Sequence, residues 1–151
     1  MTAVVAIVLL VVAGTLATAD SLVKVPSADR SSVVAGRSAI KEWSTTNPGG
    51  GDEYQVTYLV LPSLTATDAP VPAEVGRLVA AGWAVQWPEG PDGTASLLSP
   101  GGKSRLTLES TGDFLRRSAE DLSDELARRE TAPSAESNPG AVMAILERIA
   151  R

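Results

Sequence analysis

Residues 54–61 read YQVTYLVL, and this stretch decides the fold class. Tyr54, Val56, Tyr58 and Val60 alternate with Gln55, Thr57, Leu59 and Leu61, the period-two pattern of a β-strand, and Pro62 ends it. Its outer positions turn apolar toward the end, which places it centrally in a small sheet.

Working outward toward the C-terminus, Ser63 to Pro72 is a loop rich in Ser, Thr, Asp and Pro, and Pro72 suits the first turn of a helix. Val75, Leu78 and Val79 form its apolar stripe, and Gly82 stands where a left-handed residue ends a helix. Trp83, Val85 and Trp87 then alternate with Ala84 and Gln86 as a second strand. This placement gives Trp83 and Trp87 two roles to choose between, a core under the helix or an aromatic surface for a ligand or partner. Pro88 to Gly93 is a turn, Thr94 to Ser99 a strand, and Ser99-Pro100-Gly101-Gly102-Lys103 a tight hairpin whose return strand is Ser104 to Leu108. Ser110 and Thr111 offer N-caps for a helix to Arg129 with Leu115, Ala119, Leu122 and Leu126 on one side. The order predicts an α+β domain over residues 52–130, a small antiparallel or mixed sheet with its helices on one face.

Residues 131–151 read as a polar linker followed by an amphipathic helix. Asn138-Pro139 suits a cap and first turn, and Val142, Ile145, Leu146 and Ile149 fall on one side up to Ala150. Such a stripe has to be buried, by folding back on the chain's own domain, on a protein partner or on a second copy, and these four residues are the candidate partner-binding surface.

On the N-terminal side, residues 20–51 read as a connector with a short helix from Ser31 or Ser32 to Trp43, placing Val33, Gly36, Ile40 and Trp43 together. Asn47-Pro48-Gly49-Gly50-Gly51 follows as a flexible joint. Residues 1–19 carry the strongest single signal, because Thr2 to Ala19 contains no charge over 18 residues. As a helix it would be ~27 Å long at ~1.5 Å per residue, close to the ~30 Å of a bilayer core. Nine Val, Ile and Leu residues within it favour insertion by about 3–5 kcal/mol, partly offset by Gly14 and the threonines. The expectation is a single-pass helix contacting the lipid bilayer. Lys24, Arg30, Arg37 and Lys41 follow this segment and no cation precedes it, which places the globular part in the cytoplasm. Two alternatives stand beside the anchor: a secretory signal cleaved after Ala19, as Ala17-Thr18-Ala19 would allow, and a buried core segment.

Composition narrows the chemistry. The chain has 151 residues, no Cys and no His, with 13 Lys and Arg against 18 Asp and Glu for a net charge of −5. Thiol and imidazole chemistry are excluded by inventory, and a net negative chain disfavours general nucleic-acid binding. Gly102-Lys103-Ser104 imitates the end of a phosphate loop, but Leu97 stands where that motif needs glycine and the run lies between two strands. Asp121, Asp124 and Glu125 lack the alternating oxygen ligands of a calcium loop and read as a solvated helix face. Lys24, Lys41 and Lys103, the only lysines available for Ser/Lys chemistry, read as exposed. Catalytic, cofactor and metal residues are therefore not expected. Ten Arg against three Lys fits a GC-rich bacterial or phage genome. The functional expectation is a membrane-anchored, non-catalytic interaction or accessory protein. An exported binding domain using the Trp83/Trp87 face is the alternative, and an enzyme with Ser or carboxylate chemistry the remaining one.

Overall fold

A computed structural model describes residues 23–47, 54–64, 69–88, 90, 93–119 and 125–149. The expected membrane helix at Thr2 to Ala19, the cleavage point after Ala19, the glycines at 49–51, Leu122 and the acids Asp121 and Asp124 lie outside these residues. No described helix is long and apolar enough to cross a membrane.

The described chain is α+β, with four helices around one antiparallel sheet. In chain order the elements are α1 (Ser27–Val34), β1 (Lys41–Asn47), β2 (Tyr54–Leu61), α2 (Pro70–Ala80), β3 (Ala84–Trp87), β4 (Ala95–Leu98), β5 (Ser104–Ser110), α3 (Thr111–Ser118), α4 (Glu125–Ser137) and β6 (Val142–Arg148). The six strands lie in the order β1-β2-β6-β5-β4-β3. The central position expected for YQVTYLVL holds, since β2 pairs with β1 on one side and β6 on the other. The hairpin between β4 and β5 also forms as expected, with Gly102 at φ +61 and the Ser99 hydroxyl accepting from the Lys103 and Ser104 amides.

Three expectations are corrected. The segment from Asn138 is a strand rather than an amphipathic helix, and Asn138 to Gly140 forms the turn that enters it. Its run Val142-Met143-Ala144-Ile145-Leu146 is nearly continuously apolar because β6 lies between β2 and β5 with helices over both faces. Such a run satisfies helical and buried-strand spacing alike, and its sheet neighbours decide between them.

The second correction is at Trp43. The first helix is Ser27–Val34, following Pro26, and it stops where Ala35 and Gly36 take left-handed conformations at φ 50 and 75. Trp43 is therefore a strand residue, stacked on Tyr58 across the β1–β2 pair with ring centroids 5.1 Å apart. The helical spacing of Val33, Gly36, Ile40 and Trp43 is a coincidence that Gly36 interrupts. Residues 48–53 consequently connect two paired strands instead of joining an anchor segment to a domain.

Third, the helices divide between the two faces. Against one face, Val33 of α1, Val71 and Leu78 of α2 and Trp83 pack on Leu59, Leu61, Ala95, Leu97, Leu106, Leu108, Val142, Ala144 and Leu146. Against the other, Phe114 of α3 and Ala127 of α4 pack on Val60 and Met143, with Trp43, Tyr58 and Ile145 at the margin. The stripe expected on α2 is shifted, since Val71, Glu74 and Leu78 are buried and Val79 is exposed. The helix expected from Thr111 to Arg129 is two helices, α3 capped by the Ser110 hydroxyl accepting from the Asp113 amide and α4 running through the supposed linker at residues 131–137. Leu126, expected in the stripe, is exposed, while Ala127 and Thr131 turn inward. Strands from residues 20–51, 52–130 and 131–151 thus complete one sheet.

Two buried carboxylates fasten the helices. Glu74 on α2, 2% exposed, accepts hydrogen bonds from Arg37 Nη2 at 2.8 Å and Arg77 Nε at 2.9 Å. The same guanidiniums donate to the carbonyls of Ser32, Val33 and Val34, satisfying the open C-terminal end of α1, and Arg37 also donates to the Pro62 carbonyl just after β2. On the opposite face Glu109 accepts from Arg117 Nη2 at 2.6 Å, and the guanidinium of Arg117 lies 5.5 Å from the Phe114 ring centre.

Candidate edge strand and basic sheet end

The two ends of the strand order are treated differently by the sequence. At one edge, β1 reads KEWSTTN, with both of its leading charges engaged: Lys41 pairs with Glu130 at 2.8 Å, and Glu42 accepts a two-pronged hydrogen bond from Arg30, whose Nε lies 2.7 Å away. These bonds hold the carboxyls of Glu42 and Glu130 below the usual carboxylate range; at Glu42 the hydrogen bond from Arg30 outweighs the opposing effect of burial. Charged side chains on an edge discourage another strand from adding there.

At the other edge, β3 reads AVQW, carries no charge, and is exposed along its whole length. Among the described residues it pairs with β4 alone, and the register shifts between Val85 and Trp87. That shift separates the tryptophans. Trp83 precedes the strand and is 2% exposed, with its indole N–H donating to Ser32 Oγ at 3.0 Å, while Trp87 is 70% exposed opposite Ser96. The shared Trp83/Trp87 face is therefore corrected: Trp83 is core and Trp87 is surface. Val85, opposite Leu97 on the other sheet face, is 42% exposed.

Next to Trp87 the sheet face carries a shallow depression of about 350 Å³, lined by Trp87, Thr94, Ala95, Ser96, Arg105 and Thr107. The Ser96 hydroxyl is buried without a hydrogen-bond partner, which is costly for a polar group. Arg105 also borders a second depression of about 220 Å³ formed with Tyr54, Glu147, Arg148 and Ile149. Arg105 faces Glu147 in register between β5 and β6, yet neither side chain is in an ion pair.

Of the expected partner-binding residues, Val142 and Leu146 are inside the core and Ile145 turns to the opposite face at its margin. Only Ile149, just beyond β6, reaches one of the depressions. The docking helix is thereby removed. Sequence reading missed Arg105, Ser96 and the uncharged edge; the signal available was the absence of any charge in AVQW, against the charged start of KEWSTTN. Lys24, Lys41 and Lys103 are exposed as expected. Among the described residues no group of three or more acids stands close enough to hold a metal ion. No family model, curated protein or solved structure matches the chain.

Proposed function

We propose that the protein is a non-catalytic interaction module of a bacterial or phage system, tethered to the cell membrane through Thr2 to Ala19 with its domain on the cytoplasmic side. It takes an extended segment of a protein partner onto β3. The observation that carries this reading is the contrast between the edges: β1 is guarded by engaged charges, whereas β3 offers an unguarded backbone flanked by Val85 and Trp87. Strand addition draws affinity from backbone hydrogen bonds and specificity from side chains; the register shift sets Val85 opposite Leu97 and Trp87 opposite Ser96, on different faces, so a segment with an apolar residue on each face suits this edge.

A photoreactive residue placed at Gln86 in the full chain tests this in membranes of a bacterial host, with Thr46 on β1 as the control site. The expected result is an adduct to a second protein from position 86, none from position 46, and loss of the adduct with Val85→Lys. No adduct, or equal adducts at both sites, overturns the reading. An adduct of twice the chain mass replaces the partner by a second copy.

The Ser96 hydroxyl and the unpaired Arg105 beside Trp87 favour one second reading, a domain exported after cleavage at Ala19 that binds a small ligand in that depression. A mature chain beginning at Asp20 belongs only to this reading.

A further inference from the structure

Among the described residues, eight of the twelve Lys and Arg side chains are in ion pairs: Arg30, Arg37, Lys41, Arg77, Arg116, Arg117, Arg128 and Arg129. The four without a carboxylate are Lys24, Lys103, Arg105 and Arg148. The topology brings these four to one end of the sheet. Ser104 is paired with Arg148 and Arg105 with Glu147, so three of the cations lie on adjoining strand ends. The Ile149 amide donates to the Lys103 carbonyl at 2.9 Å. Lys24 follows Val23, whose carbonyl accepts from the Gln55 amide at 3.0 Å and which bridges Tyr54 at the start of β2.

In sequence Val23 stands four residues after Ala19. Four residues of fully extended chain span at most about 14 Å. A membrane helix ending at Ala19 therefore holds this end of the sheet within reach of the lipid headgroups. Resting on the membrane-anchored reading, we infer that the end bearing Lys24, Lys103, Arg105 and Arg148 is a basic face that lies on anionic lipid headgroups and fixes the orientation of the domain on the bilayer.

Charge complementarity selects anionic lipid against the net charge of the chain, −5. The unpaired cations act over about 8 Å at physiological salt. Glu147, opposite Arg105, and Asp29, which accepts from the Ser104 hydroxyl at 2.7 Å and keeps its charge, are the acids beside these four cations among the described residues. Asp20, Asp52 and Glu53 adjoin this end in sequence and lie outside the described residues. Each cation held at an anionic surface is worth about fivefold in partitioning. With this end down, β3 remains beside the surface with its edge open to a partner.

The chain has no Cys, so Gly101→Cys in the hairpin gives a unique label; a side chain there meets only Lys103 Cγ, at 3.9 Å. The labelled full chain is reconstituted into phosphatidylcholine vesicles with and without phosphatidylglycerol. Quenching of the label by headgroup-attached quencher is read beside carbonate-resistant flotation. The expected result is flotation with both vesicles and at least about threefold stronger quenching with the anionic lipid. Raised salt and Lys103→Glu/Arg148→Glu should both abolish the difference. Lys24→Glu/Lys103→Glu, confined to exposed side chains, should do the same if the first pair perturbs folding.

Flotation with equal quenching in both lipids overturns the basic face while the anchor stands. Carbonate-extractable binding to anionic vesicles alone removes the anchor and supports the basic face. No binding to either vesicle overturns both.

Discussion

At the residue scale, the fold depends on the buried carboxylate of Glu74. Its carboxylate sits 2% exposed between Arg37 and Arg77, and those guanidiniums also hold the last carbonyls of α1. Removing the acid leaves two cations facing each other in a largely dry space. Glu74→Ala is expected to cost about 3–5 kcal/mol, measured as a lowered midpoint in urea. Loss of less than about 1 kcal/mol, the range of a surface pair, would mean the two arginines turn to water without consequence.

Glu42 gives the molecule an acid limb. Arg30 holds its folded pKa below the unfolded value near ~4.3, so this group's contribution is complete above that value and is lost as pH falls through the folded pKa. Glu42→Gln should flatten the decline in unfolding free energy below about pH 4 relative to the parent, read from urea titrations at stepped pH. An unchanged slope would assign the decline to other carboxylates.

At the element scale, the last strand in sequence is central in space. β6 closes the sheet between β2 and β5, and its Leu146 contributes to the larger core cluster. Leu146→Ala is expected to cost about 2–5 kcal/mol, whereas Leu126→Ala on the exposed side of α4 should stay within about 0.5 kcal/mol. Comparable small losses at both would contradict the strand assignment. Ile145 and Ile149, once candidates for a docking surface, differ in role: charge at Ile145 disturbs the margin of the second core cluster, while Ile149 borders an open depression.

The elements legible in sequence were those whose chemistry is local. The alternation of YQVTYLVL, the Ser99–Lys103 hairpin and Gly82 at φ 90 each state their structure within a few residues. Those misread depend on distant neighbours. Val142 to Leu146 fits a helix until β2 and β5 are placed beside it, and KEWSTTN becomes a strand through its register with β2. The edge at β3 was hidden for the same reason, since Trp83 and Trp87 look equivalent until a shift in register turns one inward.

At the scale of the whole molecule, the account joins three features by position. Val23 bridges the start of β2, the unpaired cations lie at that same end of the sheet, and the unguarded strand is at the far edge from the charged β1. In the proposed reading, an anchor, a basic footing and an open edge hold the domain in one orientation on a membrane and offer one side to a partner. The electrostatic part of this account is salt-sensitive, and the apolar anchor is not.

The most direct test of the central claim is membrane fractionation of the expressed chain followed by intact mass on each fraction. The account predicts the full-length 15.6 kDa chain in the membrane fraction, retained after carbonate washing. A soluble chain beginning at Asp20, or a soluble chain of full length, would contradict it.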